Sequence, residues 1–211
     1  MSQAQDDRER VKMMTRRAIK TSTYVMAPLM MGLVFCAVPI VKLVLTDKWL
    51  PCVFFLRVFC ITYMFWPIHT ANLNAINAVA RSDLFLKLEV IKKVVGMILL
   101  FSTMWLSVKA MAYSLLISSV CSQIINSWPN RKLLHYGYLE QLKDILPGIL
   151  LAIGMGVCVY FIGELPVPYE ILLVIQIFAG GMIYIAGSII FKLDSFEYIW
   201  GIVKSYLKRA R

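Results

Sequence analysis

Long apolar segments separated by short polar links dominate the chain from residue 24 to residue 191. A helix needs roughly 17 to 25 mostly apolar residues to cross the hydrocarbon core of a bilayer, and several of these segments are that long. The pattern therefore predicts an all-α transmembrane protein of about six spans, with amphipathic cytoplasmic segments at its N- and C-termini. The spans are predicted at residues 24–45, 51–80, 84–108, 110–128, 145–162 and 171–191.

Proline and charge predict irregular geometry in the first three spans. Pro28 and Pro39 lie inside the first span, and because proline lacks an N–H group, this span is expected to be broken or kinked. The second span contains Pro67 and is long enough to require a tilt or a kink. The third is free of charge only over residues 94–108, which reach about 22 Å, so it needs the preceding turns, with Lys92 and Lys93 extended toward the headgroups.

The later spans are bounded by turn residues. The fourth is expected to end before Pro129, since proline interrupts the helical hydrogen bonds. A short GELPVPYE link joins the fifth span to the sixth. These two spans are therefore predicted to form an antiparallel hairpin.

Three regions follow from this pattern. Residues 1–22 are predicted to be a cytoplasmic basic link, residues 23–191 a transmembrane helical bundle, and residues 192–211 a cytoplasmic amphipathic helix. In the last region apolar side chains recur at helical spacing opposite basic ones, as in helices that lie in the membrane interface. A disordered basic tail is the alternative. The apolar positions are Phe196, Ile199, Trp200, Val203 and Leu207, and the basic ones are Lys204, Lys208, Arg209 and Arg211.

Composition and charge support a multi-pass membrane protein. Of the 211 residues, 60% are hydrophobic, and the mean hydropathy is +0.72, which is typical of membrane proteins. The net charge of +10 does not indicate a nucleic-acid partner, because the basic residues lie between spans and not in a folded patch. Most of them fall in alternate links, so the positive-inside rule predicts that both termini are cytoplasmic. The apolar spans themselves make membrane lipids the immediate partners.

The residue types needed for catalysis or metal binding are not arranged in a recognisable motif. The five cysteines include no CxxC pair or other metal-type spacing. The sequence also contains no HExxH, no GxSxG and no glycine-rich phosphate loop. We therefore expect no enzyme activity, no catalytic residue, no metal site and no cofactor.

The second span contains the polar residues with the greatest functional interest. Polar groups are costly in hydrocarbon, so they are expected to face a bundle interior or a water-filled pathway. If the bend at Pro67 is small, Arg57, His69 and Asn72 fall within an arc of about 120°. The opposite side carries a second polar stripe toward the cytoplasmic end. It consists of Thr70, Asn74, Asn77 and Arg81.

These side chains suit the binding of a phosphorylated sugar, because arginine grips anionic oxygens bidentately and amides bond hydroxyl groups. The alternative is structural: asparagines and histidine bond neighbouring helices, and arginine extends to the headgroups. Gln123, on the polar face of the fourth span, is a further candidate. The substrate-binding candidates are Arg57, His69, Asn72, Asn74, Asn77 and Gln123.

Several segments together resemble one family of transporters. They are QDDRERVKMMTRRAIK, PLMMGL, KWLP, PIHTANLNAINAVARSDLFLKLEVIKK and LLHYGYLEQLKDILP, which lie between residues 5 and 147, and the resemblance covers nearly the whole chain. Their order resembles the oligosaccharide flippases of the multidrug/oligosaccharidyl-lipid/polysaccharide exporter superfamily, most closely the O-antigen and lipopolysaccharide branch. Ala80 stands where that pattern has glycine.

The resemblance implies the fold and the function that we expect. Family members have two helical lobes around a cavity that opens alternately to each side of the bacterial inner membrane, and they export lipid-linked oligosaccharide precursors. This chain would supply spans nine to fourteen, and the N-terminal lobe would be missing or would come from a second chain. The implied partner is a polyprenyl-diphosphate-linked saccharide, with Arg57 holding the diphosphate.

Three other functions remain as alternatives. A multidrug exporter fragment would be expected to carry acidic residues inside its spans, and residues 24–45 and 51–80 contain none. A membrane-embedded glycan polymerase or transferase would be expected to have a long outer loop, whereas the outer links here are short. A non-functional truncated remnant is the third alternative.

Overall fold

The computed structural model describes residues 2–79 and 82–209, and over these residues the chain is helical with no strand. The all-α prediction is therefore confirmed. Arg81 and Ala80, which were singled out in the sequence, lie outside the described residues. The helices are α1 (Ser2–Phe35), α2 (Ala37–Leu45), α3 (Cys52–Met64), α4 (Trp66–Ala78), α5 (Ser82–Thr103), α6 (Val108–Leu133), α7 (Tyr138–Ile162), α8 (Tyr169–Ile190) and α9 (Asp194–Arg209), with one 3-10 turn at Asp47–Trp49.

Five stretches of the described chain are long and apolar enough to cross a membrane, which makes this a multi-pass membrane protein. The third predicted span, now α5, is not one of them, although its 22 residues are long enough. The charged residues in the first half of α5 make it too polar to be counted as a span. The stretches are Asp7–Phe35, Cys52–Ala78, Val108–Leu133, Tyr138–Ile162 and Tyr169–Ile190.

Two of the predicted interruptions, near Pro39 and near Pro67, are present, whereas α1 continues through Pro28 without a break. The first helix stops at Phe35 and resumes at Ala37, and Pro39 accounts for the break because it cannot donate to the Phe35 carbonyl. In the second span α3 ends at Met64 and α4 begins at Trp66. The bend therefore lies at Phe65, just before the proline in the first turn of α4.

Two local predictions were wrong. The fourth span does not end before Pro129, because α6 continues through this proline to Leu133. The proline lies just before the last turn of the helix, and the loss of one hydrogen bond is tolerated there. Of the two lysines predicted to extend toward the headgroups, Lys92 does not, because its side chain is buried and pairs with Glu89 one turn earlier on α5, whereas Lys93 is exposed.

The described chain forms two compact units, each built from two separate stretches of sequence. Unit 1 consists of Met1–Ile19 and Val58–Asp144, and unit 2 consists of Lys20–Arg57 and Ile145–Arg211. In unit 1, α6 packs against α4 and α5. In this way unit 1 brings the polar residues of α4 and α6 together.

Unit 2 contains the predicted hairpin of α7 and α8. The amide of Gln176 donates to the Val159 carbonyl at 3.0 Å. A Cβ atom on Gly187 would lie 2.4 Å from the Leu151 side chain, so these helices approach each other closely. Residues later in α8 thus contact residues earlier in α7, and the antiparallel prediction is confirmed.

The C-terminal region is helical, as expected. At the end of α8, Lys192 has a φ of 47°, and the Leu193 N–H donates to the Ser188 carbonyl at 3.1 Å. This is the geometry of a Schellman cap, which ends one helix and redirects the chain. Helix α9 begins at Asp194 and has acidic residues in its first turn, where they interact favourably with the helix dipole. The side chains from residue 206 onward, including Leu207, Lys208, Arg209 and Arg211, lie outside the description.

Candidate functional site

Helix α4 has a buried face that carries an asparagine. Asn72 has no exposed surface, and its amide pairs reciprocally with the amide of Gln141 on α7. Asn72 Nδ2 donates to Gln141 Oε1 at 2.7 Å, and Gln141 Nε2 donates to Asn72 Oδ1 at 2.9 Å. Two helices that are far apart in sequence are therefore joined by a pair of buried hydrogen bonds.

Helix α6 contributes further polar groups to the same place. Asn130 Nδ2 donates to Asn72 Oδ1 at 2.7 Å and to the Asn72 carbonyl at 3.1 Å. Ser127 Oγ donates to Gln141 Oε1 at 3.1 Å. We call Asn72, Ser127, Asn130 and Gln141 the amide cluster. Each of its members is at most 1% exposed, so this cluster links α4, α6 and α7 and has no free surface for a substrate.

The opposite face of α4 is open. Trp66 is 49% exposed, and Asn74 and Asn77 are exposed as well, with Thr70 half-buried between them. These four positions fall within about 80° of the helix circumference. We call them the α4 stripe. Apart from Trp66 they are the predicted polar stripe, and its remaining member, Arg81, lies outside the described residues.

His69 lies at the edge between the two faces. Its ring stacks on Trp66 with centroids 5.0 Å apart and an interplanar angle of 26°. On its other side Nδ1 lies 2.8 Å from Asn126 Nδ2 of α6. Tyr63, at the end of α3, lies with its ring centroid 5.8 Å from that of Trp66. His69 is thus held on both sides, and it helps to fix the indole.

The other two predicted residues have structural partners. Arg57 belongs to unit 2, where its Nε donates to the Val34 carbonyl in the last turn of α1 at 3.1 Å. A cation is favourable at a helix C-terminus. Gln123 is 2% exposed and accepts a hydrogen bond from Tyr138 at 3.4 Å. The common wall predicted for Arg57, His69 and Asn72 requires one nearly straight helix; the structure interrupts this helix at Phe65, and the common wall stays a prediction.

A second polar cluster in unit 1 was not predicted from the sequence. Arg16 on α1 forms an ion pair with Asp144 on α7 at 2.6 Å, and the Tyr136 hydroxyl donates to the same carboxylate at 2.8 Å. Burial of Tyr136, together with this hydrogen bond, raises the pKa of its hydroxyl above the usual range. Arg16 and Asp144 are 128 residues apart in sequence, so no local pattern could have paired them.

No group of three or more histidine, cysteine or acidic side chains within residues 2–79 and 82–209 is arranged to hold a metal ion. The arrangements described so far are a buried amide cluster, an ion pair at the start of α7, and an exposed stripe on α4. They can hold helices together and offer hydrogen bonds to a ligand.

Comparison with known proteins gives three matches. A family model described as "Polysaccharide biosynthesis protein" matches residues 1–54. An uncharacterized membrane protein in the cps region of Klebsiella pneumoniae is 26% identical over 194 residues, which cover 88% of this chain and 39% of that protein. In fold, the chain is similar to the lipid II flippase MurJ in an inward closed conformation, with a TM-score of 0.74 and 20% identity over 88% of this chain and 40% of that one.

The chain thus spans about two fifths of the length of the proteins that it matches. The match to the flippase concerns the fold alone, whereas the family model and the membrane protein are matched in sequence. The three matches agree with the resemblance predicted from the sequence: a polysaccharide biosynthesis family and a membrane protein of a cps region in sequence, and a flippase in fold.

Proposed function

We propose that this chain forms part of a transporter that moves lipid-linked oligosaccharide precursors across the bacterial inner membrane. The observation that carries the proposal is the α4 stripe. Asn74 and Asn77 are exposed on a helix within a membrane-spanning stretch. Acyl chains offer no hydrogen bonds to an amide, so such a face belongs against a water-filled cavity or another polar surface.

The proposed substrate is a polyprenyl-diphosphate-linked saccharide. The amides of the stripe both donate and accept, which suits sugar hydroxyls. The Nε bond of Arg57 to Val34 leaves the terminal nitrogens of the guanidinium for another acceptor, and a diphosphate oxygen is the acceptor that we propose. The names of the matched proteins support this substrate class, because one is a lipid II flippase and the other lies in a cps region.

The cavity requires a second wall. The matched proteins are about two and a half times as long as the part that this chain covers, so we propose that a further lobe, in the same polypeptide or a second one, faces the α4 stripe. Alternating access then requires helices with two stable arrangements. The interruptions at Cys36 and Phe65 are where the spanning helices can bend. In this proposal the protein transports its substrate and does not alter it chemically, and both termini are cytoplasmic.

The experiment is deletion of the gene in its own host, followed by complementation. Wild-type protein should restore surface polysaccharide, whereas the double variant Asn74→Leu/Asn77→Leu should restore little at an equal protein level. The matched control is Asn74→Gln/Asn77→Gln, which keeps both amides and should retain most of the export. Normal export by the leucine variant would remove the stripe from the pathway, and normal export after deletion would remove the function itself.

A further inference from the structure

Trp66 lies at an unusual depth for an exposed tryptophan. The second spanning stretch, Cys52–Ala78, has 27 residues, and at the helical rise Trp66 is about 21 Å from its start and about 18 Å from its end. Tryptophans that anchor a protein in lipid lie at the membrane interfaces, near the two ends of a span. Trp66 is instead near the middle, directly after the interruption at Phe65. An anchoring role does not explain this position.

The indole of Trp66 is also held in place. His69 stacks on it at a centroid distance of 5.0 Å, and the histidine lies 2.8 Å from Asn126 of α6. Tyr63 is tilted against it at 5.8 Å. A ring fixed on one side and open over about half of its surface loses little conformational entropy when a ligand covers the open part. The indole of Trp66 is therefore preorganised to contact a ligand.

The neighbours of Trp66 on the open face are polar. Thr70, Asn74 and Asn77 follow it at intervals of four, four and three residues on the same side of α4. Acyl chains would leave the amide of Asn74 without partners, and Asn77 lies one residue before the end of the spanning stretch. A diphosphate would require a cation, and this stripe contains none among the described residues. An aromatic face beside neutral donors and acceptors instead fits a neutral ligand that has both C–H and O–H groups.

A sugar ring has this composition. One face of a pyranose presents C–H groups with partial positive charge, which are attracted to the negative face of an aromatic ring. Its hydroxyls donate and accept, as amides do. We infer that Trp66 contacts a saccharide ring of the transported lipid, that Asn74 and Asn77 bond hydroxyls of other sugar residues of the same saccharide, and that His69 positions the indole. This inference rests on the proposed function and adds to it the place where the sugar binds.

The test uses the complementation assay with single variants of Trp66. Trp66→Leu should lower surface polysaccharide at least tenfold at an equal protein level, because leucine offers no aromatic face. Trp66→Tyr keeps an aromatic ring and should restore export to within threefold of wild type. Trp105→Leu is the matched control, since Trp105 is 84% exposed but lies in the link between α5 and α6; export should be unchanged.

The possible outcomes distinguish a failure of the saccharide contact at Trp66 from a failure of the transport function. If deletion abolishes export and Trp66→Leu behaves like wild type, the saccharide contact is wrong and the transport function stands. If Trp66→Tyr is as defective as Trp66→Leu, the site requires the shape of tryptophan for packing and the contact is also overturned. A helix of another lobe could cover Trp66 instead. A cysteine at position 66 would then be cross-linked to that helix in every state of the transporter, and this result would exclude the saccharide contact. If Trp66→Leu loses export while Trp66→Tyr and Trp105→Leu retain it, the result supports the saccharide contact.

Discussion

Asn72 and Gln141 form a reciprocal pair in which each amide donates to the oxygen of the other, at 2.7 and 2.9 Å. Both side chains have no exposed surface. In a membrane protein the helices are held by packing and hydrogen bonds, since lipid provides no hydrophobic drive for them to associate. This pair therefore joins α4 to α7, and Asn72 stabilises the fold in the structure described.

Replacement of Asn72 by alanine should lower the free energy of unfolding by about 1–3 kcal/mol, because it leaves buried partners without hydrogen bonds. Asn74→Ala is the matched control on the same helix. Its side chain is exposed, so its effect should stay within about 0.5 kcal/mol. Unfolding of the detergent-solubilised protein measures both. Equal stability of the two variants would show that the amide cluster does not stabilise the fold.

The segments that carry the family resemblance meet in this part of the molecule. His69 and Asn72 lie in PIHTANLNAINAV, Tyr136, Gln141 and Asp144 lie in LLHYGYLEQLKDILP, and Arg16 lies in QDDRERVKMMTRRAIK. The sequence alone could identify these segments but not their pairing, because the partners come from different helices. The resemblance is therefore carried by segments whose side chains contact one another in unit 1.

Tyr136 should make the stability of the protein depend on alkaline pH. Its pKa is raised in the folded state by burial and by the hydrogen bond to Asp144. The folded protein thus holds this proton more tightly than the unfolded one, so the stabilisation is complete below about pH 10 and is lost as the pH rises toward the folded pKa. Tyr136→Phe should be less stable than wild type at pH 8, and the difference should shrink above about pH 10.

Unfolding temperatures measured from pH 8 to pH 11 test this expectation. Tyr160→Phe serves as the control, since Tyr160 is 49% exposed and its ring contacts with Phe35 and Phe161 remain possible in phenylalanine. A constant difference between wild type and Tyr136→Phe over this range would mean that the hydroxyl of Tyr136 does not titrate with unfolding.

His69 should act through the shape of its ring. His69→Ala removes the stack on Trp66 and should lower polysaccharide export severalfold. His69→Phe keeps a ring of similar orientation and should retain more export, although Asn126 then loses its partner at Nδ1. Surface polysaccharide is measured at equal protein levels. If phenylalanine is no better than alanine, the hydrogen bond matters more than the stack.

Gly156 is required where α7 passes the end of α1. A Cβ atom there would lie 2.2 Å from the ring of Phe35, so Gly156→Ala should destabilise the protein by about 1–3 kcal/mol. Gly154→Ala on the same helix meets nothing within 4 Å and should be tolerated. Thermal unfolding of both variants distinguishes them, and similar transitions would contradict the close approach.

The orientation can be tested with single cysteines in a variant that lacks the five native ones. Glu9 and Glu164 are exposed positions in α1 and in the link between α7 and α8. With a membrane-impermeant maleimide on spheroplasts, a cysteine at Glu164 should react at once, whereas one at Glu9 should react only after permeabilisation. The opposite result would place the termini outside.

The sequence was most informative about features set by local chemistry. Apolar length located the spanning helices, and Pro39 and Pro67 located the interruptions to within three residues. The continuation of α6 beyond Pro129 was missed because a proline near the end of a helix costs only one hydrogen bond. Trp66 was missed for another reason: an aromatic residue in an apolar span has no distinguishing pattern, and only its exposure beside the stripe makes it notable.

Each compact unit combines an early stretch of the chain with a late one, since Met1–Ile19 joins Val58–Asp144 and Lys20–Arg57 joins Ile145–Arg211. During synthesis the early stretch of each unit leaves the ribosome before its counterpart has been translated. The first helices must therefore persist in the bilayer without their final neighbours, and both units are completed late. For the same reason no single cut in the gene would release an intact unit, so tests that divide the protein must express its pieces together.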